Sequence, residues 1–397
     1  MRVAMKEFIV LMACLNALVA LSIDAMLPAL GTMAADLQVA RANDIQFVIG
    51  FIFIGMTLGQ IFYGPLADAL GRRRALTSGL ALYIIGSLIS WHAESLNVML
   101  AGRFLQGLGV SAPRIISMAI IRDKFHGREM AYIMSMVMGV FIMVPAIAPT
   151  LGQGIIHLFD WRAIFLFYIL VSCGCCLWFY LRMEETLAPE NRRPFNLKQI
   201  FSGYKEAAMN RMTRGYMICC GVAFGGILGY LTSAQQIFHE IFNAGDKFAL
   251  YFGILALAIG AAFFSNSALV KRHGMRKITR ISICVFMFAS LVFMAHTLLA
   301  APSLLVFMLF MSVSFFCLGL MFGNMNAMAL EPMGHMAGLA SAFIGAGSSA
   351  VSLMLGSAIG QMYNGTLLPL AAGFLVLSCA TYLVMSWTER KNPGASS

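Results

Sequence analysis

Acidic residues are scarce in this chain of 397 residues, 17 Asp and Glu in all, and nearly all fall in polar stretches or at the edges of apolar ones. Asp24 is the exception, because Ser22-Ile-Asp24-Ala-Met-Leu-Pro28 lies well inside an apolar run. A carboxyl held away from water takes up a proton on one side of a barrier and releases it on the other. Arg103, in Leu100-Ala-Gly-Arg103-Phe-Leu-Gln106-Gly107, is also inside an apolar run. A guanidinium at that depth costs a few kcal/mol and needs a partner or water. Arg114 follows eleven residues later. Eleven helical steps of about 100° leave about 20°, so both arginines share one face, read here as lining a cavity. Two plainer roles compete with this chemistry. Arg103 snorkels to an interface, or Asp24 caps a helix break before Pro28.

The elements that must position these groups are membrane helices. The chain is 60% hydrophobic and 11% charged, whereas soluble domains carry about 25% charged residues. Apolar runs long enough to cross a hydrocarbon core of about 30 Å recur throughout. They predict helices over 6–30, 45–66, 75–93, 97–119, 131–156 and 162–182, and then over 214–239, 247–270, 279–299, 303–330, 336–360 and 367–387. The first run continues through Asp24 and Pro28 and lacks a cleavage signature, so it is read as a span and not as a signal peptide. The fold class expected is all-α: twelve transmembrane helices in two six-helix bundles. Residues 1–182 form the first bundle, 183–213 a cytoplasmic linker, and 214–397 the second bundle with a short tail. Within the linker, Leu197 to Met209 reads as an amphipathic surface helix or as plain linker.

The net charge of +10 does not form a nucleic-acid patch. Arg2, Lys6, Arg72 to Arg74, Arg122, Lys124, Arg128, the linker bases, Lys271 to Arg280, Arg390 and Lys391 all fall on one side of the expected topology. Arg41, Arg162 and Lys247 fall on the other. By the positive-inside rule both termini are cytoplasmic. All nine cysteines lie inside predicted spans, unlike a disulfide scaffold. Cys173-Gly-Cys175-Cys176 has no His or acid near it to complete a metal site. The seven His are scattered, and no Walker loop, nucleophile elbow or His-x-x-x-His is present, so no enzyme, metal or cofactor is expected.

The halves carry a faint repeat: Gly71 in Gly64-Pro-Leu-Ala-Asp68-Ala-Leu-Gly71-Arg72-Arg73-Arg74 and Gly274 in Ser267-Ala-Leu-Val-Lys-Arg-His-Gly274-Met-Arg-Lys277 occupy matching places. The first of these segments resembles the loop signature of the major facilitator superfamily, with Ala69 where a basic residue is usual. The resemblance implies that Gly64, Asp68, Gly71 and Arg72 latch the two halves in an outward-facing state. The Arg103 segment resembles the family's fourth-helix motif. Gly139-(x5)-Pro145-Ala-Ile-Ala-Pro149-Thr-Leu-Gly152-Gln153 resembles the antiporter motif of exporter branches, with Gln153 replacing a second Gly; a kinked, closely packed helix is the competing reading. The Asp24 segment, Met118-Ala-Ile-Ile-Arg122-Asp123 and Ala337-Gly-Leu-Ala-Ser341-Ala-Phe-Ile-Gly345 resemble the Bcr/CflA branch of drug:proton antiporters, although Met26 stands where that branch often has Tyr.

The reading that follows is a secondary transporter exporting small hydrophobic compounds or drugs against protons, a monomer in the bacterial inner membrane, its two bundles rocking around a central site. Asp24 and Arg103 are expected to couple protons. Arg114, Gln106, Tyr230, Gln235 and Asn324 are expected to line the substrate cavity. Its partners are the small-molecule substrate, protons and the lipid bilayer. The alternative is an uptake symporter or uniporter for a nutrient, metabolite or siderophore on the same fold.

Overall fold

A computed structural model of the chain describes residues 4–192 and 195–390. Arg2, Arg193 and Lys391, used above for orientation, lie outside the described residues. The chain divides into two compact units, Met1–Leu197 and Lys198–Ser397, and the border falls inside the segment expected to be a linker.

The first unit opens with α1 (Met5–Asp24), a short 3-10 turn (Leu27–Ala29) and α2 (Leu30–Asp36). Then follow α3 (Phe47–Leu70), α4 (Arg72–Trp91), α5 (Leu96–Lys124), α6 (Gly127–Leu158) and α7 (Arg162–Arg182). The run expected as one helix over 6–30 is therefore interrupted, and its helical path extends further, to Asp36. Pro28 supplies the reason for the break. It has no N–H to give the carbonyl of Asp24, and its ring crowds that carbonyl. At the centre of the unit α5 packs closely on α3 because small residues face each other. A Cβ on Gly107 would overlap the Ile52 main chain, and one on Gly55 would overlap Phe104 and Leu108.

The second unit begins with α8 (Leu197–Met209), whose first residue closes the first unit. Ile200 and Ala207 are buried, Gly203 packs on Leu339 and Met336, and the Tyr204 and Phe343 rings meet at 6.0 Å. Next come α9 (Arg211–Gln236), extended by a π-turn over Ile237–Ile241, α10 (Phe248–His273), α11 (Met275–Leu299), α12 (Leu304–Leu330), α13 (Ala337–Gln361) and α14 (Leu368–Glu389). Most of α9 is buried, with α13 close against it: a Cβ on Gly356 would meet Leu228 and Gly229. Stacked Phe293 and Phe310, 4.0 Å apart, join α11 to α12.

Among the described residues, eleven continuous helical stretches are long and apolar enough to cross a membrane. The longest, Leu304–Gln361, has 58 residues. A 3-10 turn over Glu331–Met336, with Met333 at φ −113° and ψ 26°, divides it into α12 and α13. That gives the twelve spans expected. Met136, Val140, Met143 and Ile147 of α6, and Phe288 and Leu291 of α11, are exposed. Apolar surface of this kind suits lipid and not water.

Candidate functional site

The break that Pro28 imposes leaves carbonyls at the end of α1 without helical partners, as every helix C-terminus does. Neighbouring side chains donate to two carbonyls of this last turn, one of which, that of Leu21, also accepts the Ala25 N–H at 3.1 Å. Tyr168 of α7 donates its hydroxyl to the Leu21 carbonyl at 2.9 Å. Arg103 of α5 donates Nη2 to the Ser22 carbonyl at 2.7 Å. A cation at this end also opposes the negative end of the helix dipole.

Arg103 is fully buried, with 0% exposure. Its Nε donates to the Val48 carbonyl of α3 at 3.2 Å and its Nη1 to Gln106 Oε1 at 2.8 Å. Gln106 in turn donates to Ser87 Oγ at 2.7 Å, and Ser87 to the Tyr83 carbonyl at 2.8 Å. The Tyr83 hydroxyl lies 2.7 Å from Ser22 Oγ, so the network closes on itself across α1, α4 and α5. Arg103 thus does not snorkel. The pair expected between Asp24 and Arg103 is not formed, because the guanidinium fork is engaged by two main-chain carbonyls and an amide. The two residues are nonetheless neighbours, since Ser22 is two positions from Asp24.

Asp24 ends α1 and is 5% exposed. Among the described residues of its unit, its carboxylate has neither a hydrogen-bond donor nor an ion-pair partner. Next to it, Gly152 of α6 sits on the main chain of Ala25, where any Cβ would overlap the Ala25 carbonyl. The α1 break therefore rests on α6 at Gly152, the last residue of the Pro145, Pro149 and Gly152 segment. Pro145 and Pro149 lie inside an uninterrupted α6, and each removes one N–H from the helical ladder, so the carbonyls of Phe141 and Pro145 lose their usual donors. Arg114 is half-buried and holds its guanidinium over the Phe141 ring at 5.8 Å.

The ends of the unit are clamped by charge. Arg182 of α7 pairs with Glu7 of α1 at 2.6 Å, and Trp178 donates to the same carboxylate. At the other end, Trp161 donates to Asp36 at the end of α2, with Arg162 3.6 Å away. The signature cluster gathers around Gly71, whose φ of +93° suits glycine alone among ordinary residues. Arg72 reaches Asp68 at 2.5 Å and grips Asp123 with Nε at 2.8 Å and Nη2 at 3.3 Å. Glu185, which the sequence reading did not single out, caps α4 by accepting the N–H groups of Arg72 at 2.9 Å and Arg73 at 3.0 Å. A Cβ on Gly71 would overlap that carboxylate. Burial of Glu185 works against its ionisation, but the N–H groups of Leu187, Arg73, Arg72 and Thr186 outweigh it and hold the carboxyl below the usual range. A Cβ on Gly64, by contrast, would meet nothing within 4 Å among the described residues.

In the second unit, Tyr230 is buried, with its ring stacked on Phe252 at 5.9 Å and edge-on to Phe315 at 5.2 Å. Asn324 exchanges two amide hydrogen bonds with Asn266, at 3.0 and 2.9 Å, and donates to the Leu320 carbonyl. Its amide is thereby committed to joining α10 and α12. Gln235 is half-buried near the end of α9. Tyr83, Ser87 and Tyr168 carry no mark in the sequence because their partners are main-chain carbonyls and the uncharged side chains of Ser22 and Gln106. The signal that could have found them is Pro28, which marks where α1 needs outside donors.

Comparison with known proteins places this geometry in context. The model of the Major Facilitator Superfamily matches residues 12–357. An uncharacterized MFS-type transporter, YdgK of Bacillus subtilis (strain 168), is 29% identical over 388 residues, covering 95% of this chain and 94% of that one. A bicyclomycin resistance protein homolog of Haemophilus influenzae is 28% identical over 394 residues, covering 98% of each. Among solved structures, the partially occluded inward-open xylose transporter XylE from E. coli superposes with a TM-score of 0.75 at 13% identity, over 98% of both chains.

Proposed function

Given that the chain belongs to the major facilitator superfamily, we propose that it is a proton-coupled exporter of small, largely apolar compounds, with Asp24 as the proton carrier. The observation that carries this reading is the Asp24 carboxyl itself, buried at a helix break with no cation or donor against it among the described residues of its unit. A carboxyl neutralised by a fixed ion pair is a poor carrier. One left unpaired in low dielectric changes charge as its access to either aqueous side changes.

Arg103 is a positioning residue. It fixes the end of α1 through the Ser22 carbonyl and so fixes where the Asp24 side chain begins. Gly152 lets α6 meet the same break, which ties the antiporter-like segment to the proposed carrier. The kinship with a bicyclomycin resistance protein homolog supports drug-like compounds as cargo. The Lys and Arg distribution supports cytoplasmic termini in a bacterial inner membrane. The working unit is read as a monomer.

The test is transport in inverted membrane vesicles energised to be acidic inside. Wild type accumulates a neutral apolar dye such as Nile red when the gradient is imposed, and Asp24→Asn loses that accumulation. Undiminished gradient-driven transport by Asp24→Asn overturns the assignment of the carrier. Flux in the opposite direction overturns export in favour of uptake.

A further inference from the structure

Within the first unit, deep in the apolar runs and away from their edges, three charged side chains occur among the described residues: Asp24 at the α1 break, and Arg103 and Arg114 inside α5. Arg103 has three neutral acceptors. Arg114 has a different environment. It lies about 15 Å along the axis from the Lys124 end of α5 and about 27 Å from the Leu96 end. Its charge rests over the Phe141 ring of α6. Among the described residues of its unit no carboxylate is within ion-pair distance of it, and no acceptor receives its N–H groups.

Three arginines at helix ends of this unit have carboxylate partners. Arg72 has two carboxylates, Arg162 has Asp36 and Asp160, and Arg182 has Glu7. A guanidinium offers five N–H donors. Facing hydrocarbon with none of them satisfied costs several kcal/mol, so this half-buried group calls for a polar partner. The charge balance points the same way in either protonation state of Asp24. With Asp24 ionised the interior of the unit carries a net charge of about +1, and with Asp24 protonated about +2. A bound cation adds to the excess, whereas a bound anion relieves it.

We infer that Arg114 is the binding residue for an anionic or strongly hydrogen-bond-accepting group, foremost a carboxylate, on an otherwise apolar substrate whose aromatic part is met by Phe141. This deepens the transporter reading and rests on it for the identity of the ligand as cargo, but not on Asp24 as proton carrier. Guanidinium and carboxylate form two parallel charge-assisted hydrogen bonds, and the Phe141 ring holds the guanidinium plane in place by cation–π attraction.

The experiment is equilibrium dialysis of the purified full-length protein in nonionic detergent at neutral pH, with 2-naphthoate and 2-naphthamide as probes of one shape and different charge. Wild type binds the carboxylate about tenfold more tightly than the amide, as a charge-assisted pair at this depth requires. Arg114→Gln brings the ratio to about one, and Arg114→Lys keeps part of it, since lysine retains the charge without the planar fork. Equal binding of the two probes by wild type overturns the inference without recourse to any variant. So does a preference that survives Arg114→Gln. A preference abolished by excess phosphatidylglycerol assigns Arg114 to a lipid headgroup and overturns a small-molecule occupant. The vesicle assay separates this failure from that of the transport reading. Gradient-driven Nile red accumulation without carboxylate preference sinks the inference alone, and carboxylate preference without gradient-driven flux sinks export alone.

Discussion

Replacing Arg103 and neutralising Asp24 have opposite consequences for the fold, and the difference follows from their partners. Arg103 is the donor for two main-chain carbonyls and the Gln106 amide. Arg103→Gln strands buried acceptors at about 1–3 kcal/mol each, so the purified protein is expected to melt at a clearly lower temperature. Arg103→Lys restores little, because one ammonium group does not reach three acceptors in divergent directions. Asp24→Asn keeps the size of a buried carboxyl that has no partner in its unit and removes only its ability to ionise, so it melts at the same temperature as wild type or above. A thermal denaturation series on the three variants checks this, and a large destabilisation by Asp24→Asn would count against an unpaired carboxylate. The sequence made both residues visible, since a charge in an apolar run has few bland explanations. What Arg103 bonds to was not visible. Every residue has a carbonyl, so main-chain acceptors leave no trace in residue types, and only Pro28 hinted which ones would be free.

At the scale of elements, the antiporter-like segment was legible as a pattern of Pro and Gly, but its neighbour was not. The structure sets Gly152 against the Ala25 carbonyl, while Gly139 and Gly154 of the same helix have nothing within 4 Å where a Cβ would be. Gly152→Ala therefore pushes α6 off the α1 break, with an expected stability cost of about 1–3 kcal/mol and loss of gradient-driven transport. Gly139→Ala and Gly154→Ala are tolerated, and helix propensity favours them by up to about 1 kcal/mol. Equal behaviour of the three in melting and vesicle assays would show that α6 does not bear on the break. The Glu185 cap gives a second test. Its carboxyl is held below the usual range, so its contribution to stability is present above that range and is lost as the pH falls through the lowered folded value. Glu185→Gln is expected to melt lower at neutral pH and to lose less than wild type on acidification, measured as melting temperature against pH. Glu185 was hard to read in advance because it follows α7, more than a hundred residues from the Gly71 turn it supports.

For the molecule as a whole, the repeat seen as matching glycines turns out to be a repeat of backbone conformation. Gly71 joins α3 to α4 at φ +93° and ψ 158°, and Gly274 joins α10 to α11 at φ +78° and ψ 156°. The surroundings have diverged. A Cβ on Gly71 would overlap Glu185, whereas one on Gly274 would meet nothing within 4 Å. Gly71→Ala therefore suffers strain and overlap, while Gly274→Ala suffers only the strain of a positive φ, about 1–2 kcal/mol. By the positive-inside rule, the basic residues beside both glycines lead us to expect both turns on the cytoplasmic side. Alkaline phosphatase, active only outside the cytoplasm, reads this directly. A fusion after Asp160, in the turn between α6 and α7, is expected to be active. Fusions after Gly71, Gly274 and Glu389 are expected to be inactive, and green fluorescent protein at Glu389 fluorescent. The helical stretch Leu304–Gln361 makes the experiment decisive: if its 58 residues crossed only once, the fusions at Gly274 and Glu389 would report opposite sides. With two crossings, divided at Met333, the stretch ends on the side where it began, and α14 then brings Glu389 to the side of Gly274.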